Sequence, residues 1–283
     1  MSPGKVILLV FVLVLAGAGV LYFGYVFFQV DEIEIAGNGK YTAVYIEGLA
    51  AIEPETHMLK LDERVIEENI ESKEPYLEVV SVAKKLPKTV VIEVIERRAE
   101  ALIAYADSLL LADKDANVLE IYPSLPEGNV YPVVTGFSIS AATLGRQIET
   151  EDTFKITVYG ELVTAINDKK MNELIAEIDL SDINSIKMTA RNGLAVRFGQ
   201  ADHIADKISA IGTMLPRLER ENRTTGELDV SSGPAGAIYV KGEEESQPQA
   251  TPQATEDAAQ NGGTGQQDGG GEEPDADAPT SGE

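Results

Sequence analysis

The stretch "KKLPKTVVIEVIERRAEALI", Lys84 to Ile103, decides how the chain divides. Leu86-Pro87 joins two strand patterns, "YLEVVSVAKKL" before it and "KTVVIEVIE" after it. In the second, Val90, Ile92 and Val94 line one face, while Thr89, Glu93 and Arg97 share the other with Val91 and Ile95. One face is therefore core and the other partly wet, as in a small antiparallel sheet with helices on one side. The chain then passes Arg97-Arg98 into "AEALI" with no Gly or Pro to turn it. Lys84, Lys85 and Lys88 flank the turn, and Arg97 and Arg98 lie roughly 30 Å away at the other end of the strand. The five basic residues read as solubilising charges at the two ends of a sheet rather than as one patch.

Upstream, "VDEIEIAGN" is a strand closed by Gly37-Asn38-Gly39. "TAVYIEGLA" is a short helix that Thr42 can cap, with Tyr45, Ile46 and Leu49 on one side. "LDERVIEENIESK" is a second helix with Asp62 as N-cap and Val65, Ile66, Asn69 and Ile70 as its inner stripe, and Pro75 prevents continuation. The order is β-α-α-β-β. Downstream, "AEALIAY" and "SLLLADKDANVLEI" read as strands with a hairpin, and "YPVVTG" ends in a turn. The segment from Ile148 to Lys170 carries a helical period, and "MNELIAEIDL" reads as a short helix leading into a strand. "INSIKMTARNGLAVRFG" is a hairpin around Arg191-Asn192-Gly193, with Asn-Gly as a two-residue turn signal. "ADHIADKISAIGTMLPRLER" is a helix kinked or stopped near Pro216. "GELDVS" and "GAIYVK" are final strands separated by Ser232-Gly233-Pro234.

Val6 to Phe28 is 23 residues without a charge. As a helix it spans roughly 35 Å, enough to cross a bilayer core. Tyr22 and Tyr25 lie toward its end, where interfacial aromatics belong. The competing reading is a cleaved signal peptide ending at "AGAG", but the apolar run continues for nine residues past it. Lys5 and the α-amino group place the five-residue N-terminus in the cytoplasm and the rest outside. The 283 residues carry a formal charge of −24, of which Gly242 to Glu283 contributes 11 acids and no Lys or Arg. That segment has no Val, Ile, Leu, Met or aromatic residue and reads as a disordered, solvated acidic tail, with an acidic interaction tail or a spacer reaching into the cell wall as the functional alternatives. The acid excess argues against nucleic acid as a partner. With no Cys, disulfides and thiolate metal sites are excluded.

The chemistry-bearing patterns are thin. "DKDAN", Asp113 to Asn117, imitates the start of a calcium loop, but the required Gly and Glu are replaced by Val118 and Ser124. It reads instead as a hairpin turn with Asn117 in a left-handed conformation. His57 and His203 lack ligand partners at metal spacing. No nucleophile elbow, Walker loop or dinucleotide fingerprint is present. The expectation is a protein that is not an enzyme, with no cofactor, no metal and no small-molecule substrate.

A transmembrane segment followed at once by "VDEIEIAGN" (Val30 to Asn38), then "LPKTVVIEVIERRAEA" (Leu86 to Ala101), then "GELDVS" (Gly226 to Ser231), resembles the cell-division family FtsQ, called DivIB in many Gram-positive bacteria. The resemblance covers nearly everything from Val6 to Lys241. It implies an α+β chain: residues 1–5 cytoplasmic, a transmembrane helix at 6–28, a POTRA domain at 29–97, a mixed α/β domain with a mainly antiparallel sheet (the β domain) at 98–241, and the tail at 242–283. Arg97 and Arg98 then mark an interdomain seam too short to flex. The family's scaffolds bind FtsB (DivIC) and FtsL, two small coiled-coil membrane proteins, outside the membrane at the division septum, where they help control septal peptidoglycan synthesis. The resemblance places the partner site on the last strand, within Ala235, Gly236, Ala237, Ile238, Tyr239 and Val240, where an edge accepts an added strand. Tyr239 is the expected anchor side chain, and Ile238 and Val240 could instead face the core. Two other classes stand beside this one: a POTRA-type chaperone or translocation module, and a membrane-anchored wall enzyme working with acids alone, as a glycosidase can.

Overall fold

The structure, a computed structural model, describes residues 3–241; the acidic tail from 242 onward lies outside the described residues. The apolar N-terminal run forms helix α1 (Pro3–Phe27), with no buried side chain and length and composition sufficient to cross a membrane. It starts three residues before Val6 and ends one before Phe28. Phe28 has left the helix, and its carbonyl accepts the Met58 N–H at 2.8 Å. No linker separates helix from sheet, because Val30 N–H already donates to Thr56 O at 2.9 Å.

The block that follows contains β1 (Glu32–Ala36), α2 (Ala43–Ala50), a 3-10 turn (Met58–Lys60), α3 (Glu63–Lys73), β2 (Leu77–Lys85) and β3 (Thr89–Glu96). The strand order is β1-β3-β2, with β1 parallel and β2 antiparallel to β3. Both expected caps form: Thr42 Oγ1 accepts Tyr45 N–H at 3.3 Å, and Asp62 Oδ1 accepts Arg64 N–H at 3.0 Å. Val90, Ile92 and Val94 are fully buried against Ile46, Ile66 and Ile70. The inner stripe of α3 is rotated from its expected position. Val65 is exposed, and the buried residues are Ile66, Ile70 and Glu71. Gly37, at φ +82°, closes β1; a Cβ there would lie 2.1 Å from the Val94 carbonyl oxygen, so the position requires glycine.

The second block comprises β4 (Ala101–Tyr105), β5 (Ser108–Ala112), β6 (Val118–Tyr122), β7 (Val133–Thr135), β8 (Ile139–Ala141), β9 (Glu149–Thr150), α4 (Thr153–Asp168), β10 (Ile175–Asp179), β11 (Ile186–Ala190), β12 (Ala195–Gly199), α5 (Ile204–Arg220), β13 (Gly226–Asp229) and β14 (Ile238–Lys241). β8 and β9 pair with each other, and the rest form one nine-stranded sheet in the order β14-β13-β12-β11-β10-β7-β4-β5-β6. Its pairs are antiparallel except β4–β7, β7–β10 and β12–β13. Helices α4 and α5 connect parallel neighbours, as such pairs require. They bury Tyr159, Leu162, Ile166, Ile208, Ile211 and Leu215 in one core with Ile103, Ile178, Val196 and Phe198 of the sheet.

Four local expectations are corrected. "MNELIAEIDL" contains no helix: Met171 to Leu174 make a turn whose Met171 Sδ fits over Gly212, and the chain enters β10 at Ile175. α5 runs through Pro216 to Arg220, because Leu215 and Leu218 on either side are both buried. Burying them gains about 1.5–3 kcal/mol each, against about 3 kcal/mol for the proline. The Arg191-Asn192-Gly193 turn is longer than two residues, with only Gly193 left-handed and its N–H donating to Ala190 O at 2.9 Å. In "DKDAN" the left-handed residue is Ala116 at φ 60°, not Asn117. Truncating Ile92 to alanine removes fully buried volume at the centre of the small sheet, and we expect it to cost about 2–5 kcal/mol in urea unfolding followed by far-UV circular dichroism.

Candidate functional site

Two places hold the residues singled out by sequence, and the first is the end of the large sheet. β14 is an outermost strand and pairs with β13 alone within the described chain, in the register Asp229↔Ile238, Leu228↔Tyr239, Glu227↔Val240 and Gly226↔Lys241. Side chains alternate, so Tyr239 shares the face of buried Leu228 and packs against the helical core. Its hydroxyl donates to Thr225 O at 2.5 Å, and the Arg223 guanidinium lies 5.6 Å from its ring centre. Ile238 and Val240 point the other way, 61 % and 53 % exposed, on the face not covered by helices. Beside them Arg197 pairs with Glu227 at 2.8 Å and with Asp229 at 3.6 Å.

The "GELDVS" motif builds the approach to this edge. Asp229 Oδ1 accepts the Ser231 N–H at 2.8 Å and the Ser231 hydroxyl at 2.6 Å, which ends β13 and holds the Asp229 carboxyl below its ordinary pKa. Ala235 and Gly236 are not strand residues: with Pro234 they form a 3-10 turn, and the strand begins only at Ile238. A carbonyl-to-amide turn, Gly236 N–H to Gly233 O at 3.1 Å, takes the ladder's place there.

The second place is the junction of the two blocks. Arg97 N–H still donates to Tyr76 O of the first block at 2.8 Å, and Glu100 N–H already donates to Ala112 O of the second at 2.9 Å. Only Arg98 and Ala99 lie between. Arg97 is not a solubilising charge, since its side chain is 6 % exposed. Burial follows from its partners on both sides. From the first block come Glu71 at 3.4 Å, Glu78 at 3.7 Å and the Pro75 carbonyl at 3.2 Å. From the second come Asp113 at 3.4 Å and the Gly145 carbonyl at 3.3 Å. Arg97 Nε sits between carboxylates without hydrogen-bond geometry to either. Arg98 is different: its side chain is 65 % exposed, and Nε donates to Glu100 Oε1 at 2.7 Å.

The carboxylates of this cluster were missed from the sequence. Glu71 follows Ile70 on the inward side of α3 and also accepts Val79 N–H at 2.9 Å. Asp113 looked like a turn residue. Its Oδ1 does accept the Asp115 and Asn117 N–H groups at 2.9 and 2.8 Å, and Oδ2 accepts Asn117 Nδ2 at 2.9 Å, but the same carboxylate faces Arg97. Burial pushes the Asp113 carboxyl up, against the Asn117 hydrogen bonds and the Arg97 charge, which draw it down. The loop that carries Gly145 approaches α3 so closely that a Cβ on Gly145 would lie 2.1 Å from Glu71 O. Tyr76 adds an apolar seal, packed against Ala99, Leu102, Leu111 and Leu119 with its hydroxyl donating to Glu120 at 2.5 Å.

Comparison with known proteins matches residues 28–97 to the POTRA domain, FtsQ-type, and residues 101–231 to the cell division protein FtsQ/DivIB C-terminal domain. The chain is similar to cell division protein FtsQ of Geobacter sp. strain M21, 32 % identical over 224 residues covering 75 % of this chain and 76 % of the relative. It is also similar to cell division protein DivIB of Clostridium botulinum strain Hall, 24 % identical over 215 residues, 76 % of this chain and 83 % of the relative. Among solved structures it matches the major extracytoplasmic domain of DivIB from Geobacillus stearothermophilus with a TM-score of 0.31 and 16 % identity, over 44 % of this chain and 96 % of that one.

Replacing Arg97 with alanine leaves Glu71 and Asp113 buried without their cation. We expect a loss of about 3–5 kcal/mol in urea unfolding, and a smaller loss of about 1–3 kcal/mol for Arg98→Ala, whose own side chain is exposed but whose removal leaves the buried Glu100 carboxylate without its donor.

Proposed function

We propose that this chain, which belongs to the FtsQ/DivIB family of cell-division proteins, works as a single-span scaffold that binds other division proteins through the open edge at β14. The observation that carries this reading is the edge itself: a terminal strand with Ile238 and Val240 exposed on the helix-free face. An added strand would gain main-chain hydrogen bonds along β14 and apolar contact with these two side chains. Arg197, Glu227 and Asp229 beside them would select the partner's charges. The partners we infer are FtsB/DivIC-like and FtsL-like coiled-coil membrane proteins. The N-terminus would lie in the cytoplasm, the two blocks outside and the protein at the septum, where the assembly would regulate septal peptidoglycan synthesis.

In this reading the work is binding rather than catalysis, and Tyr239 is a brace for the edge more than a contact residue, because its ring and hydroxyl are already engaged. Co-purification of the full-length chain with its coiled-coil membrane partners tests the assignment. We expect Ile238→Glu with Val240→Glu to reduce partner capture at least tenfold while leaving the melting temperature unchanged. We expect Tyr239→Glu to lower the melting temperature. Unimpaired capture by the Ile238/Val240 double variant would remove the edge-strand site.

The junction at Arg97-Arg98 is proposed to keep the two blocks at a fixed angle, so that the distance from the membrane to the edge is set by the chain. Inserting a Gly-Ser linker after Arg98 is expected to leave each block folded but to give filamentous or chained cells in a complementation assay.

A further inference from the structure

The pairing of β1 with β3 and the tie of Met58 N–H to Phe28 O bring two exposed leucines, Leu86 and Leu59, to the end of the first block from which α1 departs. β1 begins five residues after α1 ends, and β3 runs parallel to it from Glu32↔Thr89 onward, so the β2–β3 turn before Thr89 lies at the same end. Lys88 O accepts the Asp31 N–H at 2.9 Å, and Leu86 is two residues beyond it at the tip of the turn, 62 % exposed. The 3-10 turn reaches further back along the helix. His57 stacks on Tyr25 with ring centres 4.9 Å apart, and Lys60 Nζ lies 5.7 Å from the Tyr25 ring centre. This turn therefore sits at the level of the last turn of α1. Met58 is buried in the block's core, while Leu59 is 78 % exposed. Lys60 follows Leu59 in the chain and Lys85 precedes Leu86, with Lys88 two residues on; Lys85 and Lys88 hold the acids Glu34 and Asp31 at 2.6 and 3.5 Å, and Lys84 holds Glu63 at 3.4 Å, so those acids do not face the end alone.

We propose that this end of the block rests on the phospholipid surface, with Leu59 and Leu86 inserted among the headgroups and Lys60, Lys85 and Lys88 at phosphate level. The chemistry is that of an interfacial contact: apolar tips that leave water, and long lysine stems that follow the apolar surface while their heads stay wet. The occupant is a lipid bilayer because the surface is continuous with α1 and shares its terminal aromatic level. With no linker after Phe28, seating by two further points would restrain the tilt of the block on its helix. The proposal rests on the reading of α1 as a membrane span.

The chain has no cysteine, so single cysteines can be placed without background. The full-length protein carrying Leu59→Cys, Leu86→Cys, Val14→Cys in mid-helix or Phe154→Cys in the second block is labelled with an environment-sensitive nitrobenzoxadiazole dye. Each variant is reconstituted in phosphatidylglycerol-containing vesicles with nitroxide lipids, spin-labelled either in the headgroup or deep in the chain. Labels at 59 and 86 are expected to lose at least half their emission to the headgroup nitroxide and little to the deep one. Val14 should be quenched by the deep probe and Phe154 by neither. Quenching at Val14 with none at 59 and 86 would overturn the seating while leaving the span intact. No quenching at Val14 would remove the span and the seating together.

Discussion

The constraint on which the arrangement of the two blocks depends is the burial of one guanidinium. Arg97 lies among Glu71, Glu78 and Asp113 with two backbone carbonyls, and these groups come from both blocks. Removing such a charge from water is costly, and the cost is offset only while all partners are in place. The arrangement therefore has a steep penalty for partial separation. An apolar junction of equal area lacks directional partners, whereas the Arg97 guanidinium meets acceptors from both blocks, Glu71 and Pro75 O on one side and Asp113 and Gly145 O on the other. Gly145 against Glu71 O and Tyr76 on Glu120 reinforce that geometry with a close backbone contact and a hydrogen bond. Such a cluster adds little net stability over a well-packed apolar junction, and its loss is costly because it leaves buried charges unpaired.

The nine-stranded sheet raises the opposite problem, since an open sheet leaves unpaired backbone at each end. At β6 the chain covers part of its own edge: Val118 N–H donates to Arg146 O at 2.9 Å and Gly145 N–H to Val118 O at 2.8 Å. That cover comes from the same loop that meets α3, so closing this edge and fixing the junction are one event. At β14 none of the described segments serves the same purpose. A four-residue strand with two exposed apolar side chains is short enough to limit indiscriminate pairing and apolar enough to reward a matching strand. Among the described residues the two edges therefore differ: β6 is partly covered by a loop of the same chain, and β14 pairs with β13 alone.

Much of this was legible in the sequence because the signals were local. Period-two alternation placed Val90, Ile92 and Val94 in the core, and Thr42 and Asp62 announced their helices. Proline 216 misled because a local rule was outweighed by the burial of Leu215 and Leu218. The end of the sheet was only half legible: "GAIYVK" reads as continuous strand, but Gly236 belongs to a 3-10 turn. The faces of Ile238 and Tyr239 were fixed by pairing with β13, which no local pattern contains. The acids of the junction were invisible for a related reason. Glu71 and Asp113 lie 26 residues before and 16 after Arg97 in the numbering, on elements whose mutual approach is a tertiary fact. A chain of net charge −24 offers many acids, and composition does not say which are dry.

The buried junction and the open edge acquire meaning together. A binding edge carried on a freely jointed arm would sample many positions, and each capture would have to offset the lost freedom. Two residues between ordered hydrogen bonds, Arg98 and Ala99, leave little of that freedom to lose. The same holds at the other end of the first block, where Phe28 and Val30 are tied to the Met58 and Thr56 backbone as soon as α1 ends. A partner strand added at β14, as proposed, would meet an edge tied back toward α1 by these backbone hydrogen bonds and the Arg97 cluster rather than by a linker.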